Sequence, residues 1–117
     1  MIAAPIKRDI VIPQGTSFPI TLKYKDSNGD AIDITGASCE MQLRKTLEQT
    51  TPDLTCTIAN GKAFVNGSNQ FGVTLTPADT ASLDATTYYY DIELTLASSD
   101  VTRVMEGKAT ITREVTR

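Results

Sequence analysis

The sequence predicts an all-β antiparallel sandwich of about eight short strands, with one helical turn near residues 77–83. Three observations lead there. Tyr88, Tyr90, Ile92, Leu94 and Leu96 alternate with Tyr89, Asp91, Glu93 and Thr95, the period of a strand with one buried and one wet face. Turn signals recur at short intervals: Pro13 with Gly15, Ser27-Asn28-Gly29, Gly36, Asn60-Gly61, Asn66-Gly67-Ser68 and Ser98-Ser99-Asp100. Between two apolar runs stands Thr76-Pro77 with Asp79 just beyond, a helix-start signal. The 117 residues fit a single domain spanning 1–117, long enough to bury somewhat over ~60% of the unfolded surface.

The elements follow in order. Asp9 to Ile12 forms a short first strand, closed by Pro13 and Gly15. Phe18, Ile20, Leu22 and Tyr24 then define a strand in which Pro19 has no N–H to donate, so it starts near an edge or pairs only beyond that point. A two-residue Asn28-Gly29 turn would set Lys25 opposite Ile32 and put charge on the apolar face. A three-residue loop, Ser27-Asn28-Gly29, instead pairs Tyr24 with Ile32 and Leu22 with Ile34, and Gly29 supplies its left-handed third residue. Cys39, Met41 and Leu43 make the next strand, to about Lys45. Residues 46–53 are polar, contain Pro52 and read as a loop. Leu54, Cys56 and Ile58 form a strand, Phe64 and Val65 a shorter one, and Phe71, Val73 and Leu75 another. After the helical turn Leu83 plugs the end of the sandwich. The last hairpin joins Tyr88–Leu96 to a strand from about Thr102 to Val115, with Gly107 read as a bulge.

A helical turn, then Leu83 and Asp84, then Tyr88 two residues before a buried strand position resembles the tyrosine corner of immunoglobulin-like domains. The plainer alternative is that Tyr88 is the outermost core residue. Cys39 and Cys56 both fall on apolar phases. They are either buried free thiols or a disulfide between facing sheets.

Chemistry is constrained by composition. With 0 His, a Ser-His-Asp triad, a His-ligated zinc and imidazole acid–base catalysis are excluded. No glycine-rich phosphate loop is present. The carboxylates fall in turns (Asp26, Asp30, Asp33) or on solvent phases (Asp91, Glu93), so no catalytic, cofactor-binding or metal-binding residue is assigned. Asp26, Asn28, Asp30 and Asp33 resemble a calcium loop, yet Gly29 stands fourth rather than sixth and Ala37 occupies the twelfth position. Asn66-Gly67-Ser68 matches a glycosylation acceptor but reads as a turn. The net charge of −3, without a basic run, disfavours nucleic acid. No apolar run approaches the ~20 residues of a membrane span, and the N-terminus lacks a signal-peptide run, which points to folding in a cytoplasm.

Larger patterns point further. Gln14, Gly15, Thr16 and Phe18 fit an early "QG-T-F" motif, and Gly29 with Ile32, Asp33, Ile34, Thr35 and Gly36 a "D-G-IDLTG" hairpin. Leu75, Asp79, Thr80 and Leu83 fit an "L-x-x-x-D-T-x-L" helical turn, while Tyr88, Tyr90, Asp91 and Glu93 fit a "Y-x-YD-E" strand. Arg103, Glu106, Gly107, Glu114, Val115, Thr116 and Arg117 fit the ending. Together they resemble small structural proteins of tailed bacteriophages that are similar to the N-terminal domain of phage upper baseplate proteins. Those baseplate proteins continue into a long C-terminal extension that has no counterpart before Arg117. The resemblance implies a non-enzymatic virion protein, made and assembled in the bacterial host cytoplasm, with no cofactor. Its expected partners are other virion proteins and copies of itself, met through strand edges and the terminal segments, as a tail or baseplate adaptor or fibre-attachment module. A capsid decoration protein is the alternative. A carbohydrate-binding host-attachment module is the second, disfavoured by the absence of Trp and by 6% aromatic residues.

Overall fold

The computed structural model describes residues 6–66 and 69–116. Among these residues nine strands, β1 (Ile6–Lys7), β2 (Ile10–Pro13), β3 (Phe18–Lys23), β4 (Ser38–Arg44), β5 (Leu54–Thr57), β6 (Ala63–Asn66), β7 (Gln70–Leu75), β8 (Thr87–Thr95) and β9 (Val101–Thr112), accompany one helix, α1 (Pro77–Ser82). They form an all-β sandwich. One sheet runs β1-β9-β8-β4-β5, with β2 also on β9, and the other runs β3-β7-β6. The core fills from alternate positions of both: Met41, Leu43, Ile92, Leu94 and Met105 from the larger sheet face Phe71, Val73 and Leu75 from the smaller. Each such side chain contributes roughly 1.5–3 kcal/mol on burial.

The helical turn forms as its sequence signal predicts. Thr76 Oγ1 accepts from the Asp79 N–H at 3.1 Å and Asp79 Oδ2 accepts from the Thr76 N–H at 2.9 Å, a reciprocal capping box. Leu83 follows at the C-cap and is buried. The Tyr88 hydroxyl accepts from the Asp84 N–H at 2.9 Å, so the tyrosine-corner reading holds and the outermost-core alternative falls. Lys45 strengthens the corner, ion-paired to Asp84 with its ammonium 6.0 Å from the Tyr88 ring centre.

The Ser27-Asn28-Gly29 loop has the three-residue register. Lys25 bridges Ala31, the Asp26 N–H donates to the Asp30 carbonyl at 2.9 Å, and Gly29 has φ +86°. Leu22, however, does not pair with Ile34. The Leu22 backbone is paired with Phe71 of β7, and Ile34 leaves for the other sheet through a turn in which the Ala37 N–H donates to the Ile34 carbonyl.

Three further expectations are corrected. The bulge between β8 and β9 lies at Val104, where the register steps between Ile92 and Glu93, and not at Gly107. Gly107 instead admits a close neighbour, since a Cβ there would stand 2.1 Å from the Arg8 carbonyl oxygen. The last strand ends at Thr112 and is interior, held by β8 on one side and by β1 and β2, in parallel, on the other. Pro19 does lie near an edge, since among the described residues β3 is an outermost strand. Ile58 lies beyond the end of β5 and is 43% exposed. Cys39 and Cys56 sit on adjacent strands of one sheet, Cys56 opposite Met41 and so two residues out of register with Cys39, and both thiols are free and buried: the free-thiol reading holds and the disulfide between facing sheets falls. The turn expected at Asn66-Gly67-Ser68 falls on residues 67 and 68, outside the described residues.

Candidate interaction surface

Segments far apart in the chain meet at one pole of the sandwich. The Gln14 side chain donates to the Leu83 carbonyl at 2.8 Å and accepts from the Glu114 N–H at 3.1 Å. The buried Thr80 hydroxyl donates to the Thr16 carbonyl at 2.9 Å and accepts from the Thr16 N–H at 3.0 Å. Gly15, between these two anchors, has φ +77°, and a Cβ there would collide with the Glu114 carboxylate. Lys62 closes the pole with a 2.5 Å ion pair to Asp79. Burial pushes the Asp79 carboxyl up, but the Lys62 ammonium and the Thr76 N–H and hydroxyl together outweigh it and hold the group below the ordinary carboxylate range. Five motif residues (Gln14, Gly15, Thr16, Thr80 and Glu114) thus serve one joint, Gln14 bonded to Leu83 and Glu114 and Thr16 bonded to Thr80.

The outer face of the larger sheet is different. Register places Lys108, Tyr89 and Arg44 side by side across β9, β8 and β4, with Glu106, Asp91 and Gln42 in the next row and Arg103, Glu93 and Glu40 in the third. Two of these cross-strand neighbours are like-charged, Glu106 with Asp91 and Glu93 with Glu40, an arrangement that destabilises an isolated sheet. Arg103 relieves it from one corner, 3.1 Å from Glu106, 3.3 Å from Asp91 and 3.9 Å from Glu93. Burial lifts the Asp91 carboxyl above its ordinary range, with Arg103 and Arg44 opposing.

The other end of the face is basic. Arg44 spends its guanidinium on Gln42 and on the carbonyls of Gln49 and Thr50. Among the described residues neither it nor Lys7, Arg8 or Lys108 has a carboxylate ion pair. A groove of about 620 Å³ runs over this part of the face, with Tyr89 40% exposed on its floor and Leu47 69% exposed on its rim. The face is therefore polarised, acidic at one end and basic at the other, with two apolar side chains between them and solvent. Such a surface suits a protein partner carrying both signs of charge. The alternation in β8 had placed Asp91 and Glu93 on the wet side. What it could not show was the cross-strand register that sets them beside Arg103, Glu106 and Glu40.

The remaining candidates resolve into structural roles. Asp26 Oδ1 accepts from the N–H groups of Asn28 and Asp30, and Asp33 Oδ1 from the N–H and hydroxyl of Thr35, so these carboxylates cap turns. The Thr35 hydroxyl bond, with its N–H, holds the Asp33 carboxyl below its ordinary range. Burial pushes the Cys39 thiol up to about 12 and the Cys56 thiol up to about 11, far from the thiolate that nucleophilic or redox chemistry uses. Among the described residues no group of three or more His, Cys, Asp or Glu side chains is placed to hold a metal ion, and no helix is long and apolar enough to cross a membrane. No protein-family model and no curated protein sequence matches the chain.

Proposed function

We propose that the chain is a non-enzymatic structural protein of a bacteriophage virion, a tail- or baseplate-associated adaptor or fibre-attachment module that works through protein–protein contacts. One observation supports this reading most. The residues that resemble the phage proteins converge in space: Gln14, Thr80 and Glu114 at the pole, and Asp91, Glu93, Arg103 and Glu106 on the outer face. Motif pieces up to 100 positions apart thus behave as one joint and one surface. That is expected of a repeated structural frame, in which the joint holds the sandwich and the face meets a neighbour.

Quantitative protein staining of purified particles tests the reading. A tail adaptor is present in a few to some dozens of copies, and a decoration protein on the capsid in hundreds. Absence of the chain from particles, with a host protein bound in its place, would sink the virion reading altogether.

A further inference from the structure

The side of the sandwich between β3 and the β1–β9 pair combines three features. First, the hydrogen bond from the Tyr24 N–H to the Asn69 carbonyl fixes the direction of the β3 ladder: even-numbered residues face β7 and odd-numbered ones face away. Among the described residues β3 is an outermost strand, so the backbone groups of Thr21 and Lys23 are open, and so is the Pro19 carbonyl. Second, a groove of about 240 Å³ lies at the Lys23 end of that edge, its apolar lining formed by Leu22, Phe71, Ile6 and Val104, the last being the bulged residue of β9. Third, Tyr24 lines the same groove, is only 6% exposed, and among the described residues its hydroxyl has no hydrogen-bond partner. A buried hydroxyl without a partner is rare in a finished interior.

We infer that this edge docks a second copy of the chain, β3 pairing antiparallel with β3 across a two-fold axis at Thr21. The pairing is self-complementary. Thr21 exchanges both backbone bonds with the partner's Thr21, and each Lys23 N–H meets the partner's Pro19 carbonyl. Proline's missing N–H then removes only one bond at each end. No like charges fall opposite, because Lys23 faces Pro19 and Lys25 faces Ser17. The incoming strand roofs the groove and brings backbone carbonyls to the Tyr24 end of the edge. One strand edge covers less than the ~1,200 Å² of a stable complex, so the pair is weak and is strengthened where several copies are held together.

The inference deepens the multi-copy adaptor reading, yet its test needs no particle, so either can fail alone. Sedimentation of the purified chain over a wide concentration range should show a reversible monomer–dimer equilibrium. Amide exchange should slow at Thr21 and Lys23 as concentration rises, while Ile20 and Leu22 stay protected throughout. Thr21→Pro leaves the inner ladder intact and should weaken association by at least roughly tenfold. Tyr24→Phe should leave the monomer as stable or more so while weakening association, and it decides the matter if the proline variant fails to fold. A monomer at all concentrations would overturn the inference. So would protection of Thr21 and Lys23 that ignores concentration, as a cover from within the chain would give, or a dimer indifferent to both substitutions.

Discussion

The pole around Gln14 and the outer face of the larger sheet are built from the same kinds of residue and use them in opposite ways. At the pole, polar groups are matched within the chain: amide to carbonyl and N–H, hydroxyl to both groups of Thr16, carboxylate to ammonium. On the face, like charges adjoin, several cations have no carboxylate ion pair among the described residues, and Tyr89 and Leu47 meet solvent. The difference separates residues retained for the fold from residues available to a partner. Satisfied polar networks are costly to break, while exposed charges contribute little to stability.

That contrast is broken most forcefully at Thr80. Thr80→Val keeps the volume but leaves the N–H and carbonyl of Thr16 without their partner, and should cost about 2–4 kcal/mol. Chemical denaturation measures it directly, and a loss no larger than that of a surface substitution would show that the pole is not a joint. Tyr88→Phe is the next test. It removes one bond, to the Asp84 N–H, and should cost about 1 kcal/mol with the ring packing retained. On the face, Leu47→Ser with Tyr89→Ser should change monomer stability by no more than about 0.5 kcal/mol. A larger loss there would mean that the face is part of the fold after all.

How much of this could be read from the chain differs between the two regions. Local signals were legible. The alternation through β8, the helix start at Thr76, the three-residue loop ending at Gly29 and the tyrosine corner each depend on residues within a few positions of one another. Pairings between distant segments were not. Gly107 looked like a bulge because glycine weakens a strand, but it is needed for the passing Arg8 carbonyl, and that contact depends on β1 joining β9 from the far end of the chain. Nothing in its neighbouring sequence marks Gly72, yet a Cβ there would stand 2.0 Å from the Ile20 carbonyl oxygen. Ile32 and Ile34 kept the apolar phase of a strand, but the phase records burial and not pairing, and Ile34 is buried in a crossing turn. The charged rows of the outer face were invisible for the same reason: register belongs to two strands, and one strand's sequence does not contain it.

The smallest expected effects sharpen the comparison through pH. Asp79 at the pole has its folded-state affinity for protons depressed, so its ionised form stabilises the fold above the ordinary carboxylate value of 3.8. That contribution disappears as pH falls through the lower folded value. Asp91 on the face has its folded value raised, chiefly by burial, so the sign is reversed. Its ionised form opposes folding at neutral pH, and the penalty is relieved as pH falls through the raised value toward 3.8. The two groups therefore pull the acid limb of the stability curve in opposite directions. Asp79→Asn should flatten the loss of stability on acidification, and Asp91→Asn should steepen it while leaving the neutral-pH protein slightly more stable. Thermal unfolding of both variants across the acid range reads the slopes. Slopes that move in the same direction would mean that the Asp91 carboxyl is held by Arg103 as firmly as Asp79 is by Lys62, and that the face is as self-satisfied as the pole.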